Sequence, residues 1–161
     1  KDELGGSVYY EINKEIGANL PKTYFENERN MIYAVIDAID KGLLLSCHDI
    51  SDGGLAAALS EMILGGDANG EIGAEINLDF SNLRTDKALF SETSGFIFEA
   101  EEKSIEKVNG IFRSYKLNLI KLGKTTKEKN LAVNSKNKKI ISLSVSKLKK
   151  SWTTGFAEAL R

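Results

Sequence analysis

Several residue types are nearly missing from this chain, and each shortage excludes something. Its 161 residues include one cysteine, one histidine, one proline and one tryptophan. A single cysteine forbids an internal disulfide and suits a reducing compartment. A lone histidine has no second imidazole with which to share a metal, and Cys47-His48 alone is not a zinc site. A formal net charge of -1 gives no reason to expect nucleic acid or an acidic membrane as a partner. No apolar run approaches the roughly 20 residues that span a bilayer, and the start does not read as a signal peptide. The chain opens on Lys1 rather than Met, as expected for a part of something longer.

What is present is enough for one globular domain with a real core. The single proline, Pro21, follows Gly17-Ala18-Asn19-Leu20 and is expected to divide an N-terminal arm, 1–21, from a main domain, 22–161. Within the arm, Leu4-Gly5-Gly6-Ser7 reads as a turn and Val8 to Ile16 as a short helix. From Asn27 to Lys41, Met31, Ile32, Val35, Ile36 and Ile39 recur at threes and fours, which predicts an amphipathic helix stopped by Gly42. Leu43 to Cys47 reads as a buried strand, and Leu55 to Leu64 as a buried helix ended by Gly65-Gly66.

Glu71 to Leu78 alternates and is expected to be a strand; Arg84 to Phe90 reads as a short helix. Gly95 to Ala100 reads as a strand, and Glu102 to Tyr115 as a helix with Ile105, Val108, Ile111 and Phe112 inward. Leu117 to Leu122, Asn130 to Asn134 and Lys139 to Leu143 are expected strands, the last two a hairpin across Ser135-Lys136-Asn137-Lys138. Ser146 to Leu160 reads as a final helix with Ser146 as N-cap. Helices alternating with single strands and a hairpin predict an α+β or α/β fold with a mixed β-sheet. The lysines between Lys121 and Lys150 read as a solvated face, since acids elsewhere balance them and few aromatics interleave.

The chemistry concentrates in Ser46–Met62, SCHDISDGGLAAALSEM. A strand ending at Cys47-His48-Asp49 feeds a polar, glycine-containing turn, and a helix starts at Gly53 or Gly54. Asp52 is a natural N-cap. Gly53 and Gly54 allow close approach to their backbone, and free N–H groups with the helix dipole favour an anion. Asp49 and Asp52 are hard oxygen donors suited to Mg²⁺. Two readings stay open: a capped, tightly packed strand-to-helix turn, or a ligand contact. Cys47 reads as a small buried hydrophobe rather than a nucleophile, because successive strand residues point to opposite faces. A second candidate is Leu89–Gly95, LFSETSG. There Glu92 can bind a metal or a substrate hydroxyl; equally, Ser91 and Glu92 can cap and bridge neighbouring elements.

Asp2–Tyr10 (DELGGSVYY), Cys47–Met62, Leu89–Gly95 and Leu122–Thr126 (LGKTT) occur in an order and spacing that resemble the C-terminal end of the large subunit of the phosphoribosylformylglycinamidine synthases. Related strings occur across the superfamily that includes aminoimidazole ribonucleotide synthetase, selenophosphate synthetase and thiamine-monophosphate kinase. The resemblance implies a fold like the C-terminal domain of aminoimidazole ribonucleotide synthetase. It implies an ATP-dependent ligase of purine biosynthesis, cytoplasmic, with Mg²⁺, other domains of the same subunit and a glutaminase as partners. Neither nucleic acid nor membrane enters.

The motifs of the first module, with its catalytic histidine region, are absent, so no catalytic residue is assigned and the domain is expected to be inactive alone. His48, Asp49, Ser51, Asp52, Gly53 and Gly54 would map onto the family's glycine turn, and Ser91 and Glu92 onto its FSE string, as nucleotide- or substrate-binding positions. The family usually shows an arginine a few residues after that glutamate. Here Gly95-Phe96 runs straight into the strand. The alternative expectation is a nucleotide-binding or scaffolding module of another, phosphotransferase-like member.

Overall fold

The structure is a computed structural model that describes residues 2–66, 72–78 and 83–159, with side chains through 155. It is a mixed α/β fold, as expected, and its contacts divide the chain into two compact units. The first comprises residues 1–58 and 86–121, and the second 59–85 and 122–161.

The first unit contains α1 (Val8–Ile12), α2 (Phe25–Asp40), β1 (Ser46–Ile50), the start of α3 (Gly54–Leu64), most of α4 (Thr85–Phe90), β3 (Gly95–Glu99) and α5 (Ile105–Ser114). Strands β1 and β3 form a two-stranded antiparallel sheet in which Cys47 opposes Phe98, His48 opposes Ile97 and Asp49 opposes Phe96. Opposed residues share a face. The core-facing side carries Cys47, Phe96 and Phe98, packed against Ala34, Val35 and Ala38 of α2 and Val108 and Phe112 of α5. The Phe98 and Phe112 rings sit 5.4 Å apart. His48 therefore lies on the opposite face of the sheet.

Helix α2 differs from its periodicity in one respect. The face it buries is Ala34, Val35 and Ala38, while Ile32, Ile36 and Ile39 remain 46%, 44% and 51% exposed. Two fully buried alanines present almost no side chain, so this face can approach its neighbours closely; the isoleucine stripe is turned away from that core. In α5 the inward pair is Val108 and Phe112, as expected, with Ile111 packed beside them.

The arm residues fold back on themselves. Gly5 N–H donates to Asn19 O at 2.8 Å and Gly6 N–H to Ile16 O at 2.9 Å. Helix α1 stops at Ile12 rather than Ile16, because Lys14 and Gly17 take positive φ. By contacts, this segment belongs to the first unit.

In the second unit β2 (Gly73–Asn77), β4 (Gly123–Thr126), β5 (Asn130–Ser135) and β6 (Lys138–Ser144) form a mixed sheet in the order β4-β2-β5-β6. Strands β2 and β5 are parallel and the other pairs antiparallel. The expected hairpin is present: Lys136 and Asn137 both take positive φ, as a two-residue turn of type I′ demands. Helix α6 runs Val145–Ala159. Its cap is Ser144 rather than Ser146: Ser144 Oγ accepts from Lys147 N–H at 3.3 Å. Glu71 and Leu160, expected ends of a strand and a helix, lie outside the described residues.

Most of the strand expected over Leu117–Leu122 is not paired. Leu117 and Leu119 pack instead on the first unit's core, and pairing starts only at Leu122, whose carbonyl accepts from Asn77 N–H at 2.7 Å, just before β4. Alternation there reports one-sided burial of an extended chain without a ladder partner.

Candidate functional site

The candidate site lies wholly within the first unit. It consists of the end of β1, the glycine turn that opens α3, and the segment 91–93 between α4 and β3. Strand β1 starts at Ser46 rather than at the expected Leu43 and extends through Ile50, so His48 and Asp49 close the strand as expected. The imidazole Nδ1–H of His48 donates to the Asp49 carbonyl at 2.6 Å and lies 3.5 Å from Asp49 Oδ1. The Asp49 carboxylate is 63% exposed. Ser51 and Asp52 are exposed as well. Cys47 is half-buried, and burial pushes its thiol above the ordinary range, with the Asp49 charge adding to the effect. A neutral, core-packed thiol is a poor nucleophile.

Gly53 and Gly54 both take left-handed backbone angles, φ +77° and +64°. A side chain at Gly54 would begin 2.8 Å from Leu89 O, Phe90 C and Ser91 O. The start of α3 is thus pressed against the backbone that leads into the FSET segment, and only a residue without Cβ fits. The expected close approach is real, and the group that approaches is this chain's own backbone.

The N–H groups of the turn are also engaged from within. Gly54 N–H donates to Ser51 O at 2.9 Å. Gly53 N–H donates to Glu92 Oε1, also at 2.9 Å. The oxygen that closes the turn is therefore that of Glu92, whereas the Asp52 carboxylate, the expected cap, faces solvent. The same Glu92 Oε1 accepts from Val8 N–H, the first residue of α1, at 2.9 Å. Of the two readings of Ser91 and Glu92, the structure shows capping and bridging.

Around Glu92 the hydrogen bonds continue. Ser91 Oγ donates to Glu3 O at 3.0 Å, and Thr93 Oγ1 donates to Glu3 Oε2 at 2.6 Å. Glu3 Oε2 also accepts from Lys22 N–H at 3.3 Å. The Ser91 and Thr93 hydroxyls lie 2.9 Å apart, and both side chains are buried. Lys87 forms an ion pair with Asp2, and the Tyr9 and Phe90 rings stack at 4.4 Å with 3° between planes. Glu3 and Thr93 are absent from the residues singled out by sequence. Their signal was present, since Glu3 belongs to the ELGGS string and Thr93 follows FSE. Nothing in local spacing says that strings 90 residues apart meet.

These contacts separate the eight candidate positions. Asp49, Ser51 and Asp52 are open to solvent, and His48 lies half-buried beside them. Gly53, Gly54, Ser91 and Glu92 are committed to one another and to the segment 3–8. Among the described residues, no three His, Cys, Asp or Glu side chains converge as a metal site. Nor is any helix among them long and apolar enough to cross a membrane.

Comparison with known proteins gives consistent relationships. The family model described as AIR synthase related protein, C-terminal domain, matches residues 1–136. Phosphoribosylformylglycinamidine synthase subunit PurL of Methanothrix thermoacetophila is 39% identical over 161 residues, 99% of this chain and 20% of that protein. The chain thus spans about a fifth of the length of the curated relatives it matches. Among solved structures, T. maritima PurL complexed with FGAR aligns with a TM-score of 0.69 at 20% identity, over 81% of this chain and 22% of that one. T. maritima PurL complexed with ATP aligns with a TM-score of 0.67 at 20% identity, over 91% and 24%. The fold is shared with both. With three of its four motif strings joined in one network and the family model matched over residues 1–136, the chain belongs to the family of AIR synthase related protein, C-terminal domain.

Proposed function

We propose that this chain serves as one domain of an ATP-dependent ligase of purine biosynthesis, which converts formylglycinamide ribonucleotide to its amidine with ammonia released from glutamine. The observation that carries this reading is the 39% identity to a PurL subunit across essentially the whole chain. The other domains of the large subunit and a glutaminase are its partners in the cytoplasm; nucleic acid and membrane have no part. The domain contributes architecture and an auxiliary nucleotide contact rather than catalytic groups, so alone it makes no amidine.

Bound ATP would supply the phosphoryl group that turns the amide oxygen into a leaving group for ammonia to displace. The residues present fit such a nucleotide best through exposed oxygen donors. Gly53 and Gly54 N–H are already engaged within the chain, which argues against these two amides as phosphate donors. The exposed carboxylates of Asp49 and Asp52, with the Ser51 hydroxyl, are hard oxygen donors that suit Mg²⁺ carried on phosphates. Two such carboxylates leave most of a six-coordinate shell to the nucleotide, water or another domain.

A chimera tests the reading. Replacing the matching fifth of the Methanothrix relative with this chain is expected to retain amidine formation, whereas this chain alone shows none. A soluble, folded chimera that binds nucleotide but forms no amidine would favour a scaffolding module of a phosphotransferase-like relative. Turnover by the isolated chain would refute the architectural role.

A further inference from the structure

Glu92 occupies an unusual position: one carboxylate oxygen closes the first N–H of one helix and an N–H of the turn that opens another. Val8 N–H and Gly53 N–H both reach Oε1 at 2.9 Å. The two donors are 45 residues apart in sequence and 84 and 39 residues from Glu92. Hydrogen bonds to an ionised acceptor are the stronger kind, and two donors on one oxygen fix each other's position as well as that of the acceptor. Val8 is in turn held from behind. Glu3 anchors the same segment to Thr93 and accepts from Lys22 N–H, while Ser91 donates to the Glu3 carbonyl. Segment 91–93 therefore grips the N-terminal segment with all three of its side chains, and Glu92 grips the glycine turn at the same time.

We propose that Glu92 is a positioning residue, through which the seating of segment 3–22 sets the placement of the Gly53–Gly54 turn. It does not hold ligand itself; it holds the turn on which the exposed Asp52 and Ser51 stand. If segment 3–22 lifts, Val8 N–H leaves Oε1, the carboxylate loses one of its two fixed donors, and the turn gains freedom. The nucleotide part of the test rests on the auxiliary-contact reading above; the backbone part does not.

The experiment measures amide hydrogen exchange at Val8 and Gly53 in the intact protein, together with calorimetric binding of Mg-ADP. Glu92→Ala is expected to speed exchange at both amides together by roughly tenfold, the order a charge-assisted bond is worth. Glu92→Gln keeps an acceptor oxygen and is expected to restore most of the protection. Glu3→Ala, which touches neither amide, is expected to speed exchange at Gly53 as well, and it carries the test should Glu92→Ala fail to fold.

Unchanged Gly53 exchange in Glu3→Ala overturns the coupling. So does a Glu92→Ala protein in which the two amides respond separately. If the parent binds Mg-ADP and Glu92→Gln abolishes binding with both amides still protected, Glu92 is a ligand and the positioning role is wrong. If the parent binds no Mg-ADP but the exchange results hold, the nucleotide reading fails and the coupling stands.

Discussion

Gly54 allows a quantitative test of how the turn is packed. Its φ of +64° lies in the left-handed region, where any L side chain costs about 1–2 kcal/mol. A Cβ there would also stand 2.8 Å from three backbone atoms, Leu89 O, Phe90 C and Ser91 O. Backbone cannot swing aside as a flexible side chain can, and overpacking of this kind costs about 1–3 kcal/mol more. Gly54→Ala should therefore destabilise by about 2–5 kcal/mol. The control is Gly42→Ala: its φ is +63°, yet a Cβ there meets nothing within 4 Å, so it carries the backbone cost alone. Urea denaturation of both variants isolates the contact as their difference. For a domain of this size each 1 kcal/mol corresponds to roughly 2–4 °C in Tm, so thermal melts give a second readout. Equal losses in the two variants would refute the close approach of α3 to segment 89–91.

Other outcomes follow from the same geometry. Asp52→Ala should change stability by less than about 0.5 kcal/mol in a urea melt, since Glu92 rather than Asp52 closes the turn; a loss near 1 kcal/mol would restore Asp52 as a cap. Cys47 holds its proton more tightly when folded than when unfolded. Its contribution is therefore complete below the ordinary thiol range and is lost as pH rises through and above it. Stability measured across alkaline pH should fall less steeply in Cys47→Ala than in the parent. Phe112→Ala removes the ring that meets Phe98 in the first unit's core and should cost about 3–5 kcal/mol by the same melt.

Much of the fold was legible because local signals and tertiary demand agreed. The α2, α3 and α5 helices, the β5–β6 hairpin and the glycine stops were all readable from period and turn chemistry. The failures have physical causes. Leu117–Leu122 alternates because one side is buried, and alternation cannot say whether a hydrogen-bonding neighbour exists. In α2 the isoleucines outweigh the alanines on any hydrophobic scale, yet small size selected the alanine face for close packing. At the site, the glycine turn was legible as a close approach. That Glu92 reaches it from 39 residues away was not, because a hydrogen bond between distant segments leaves no spacing in the sequence.

The two sides of α2 answer to different constraints. At Ala34 and Ala38, with no exposure at all, one added methyl has to displace a neighbour. At Ile36, on the same rigid rod two residues away, a bulky group can be attached without disturbing the interior. A spin label or fluorophore placed there would report on whatever approaches the helix from outside, while the alanine side keeps the reporter's frame still.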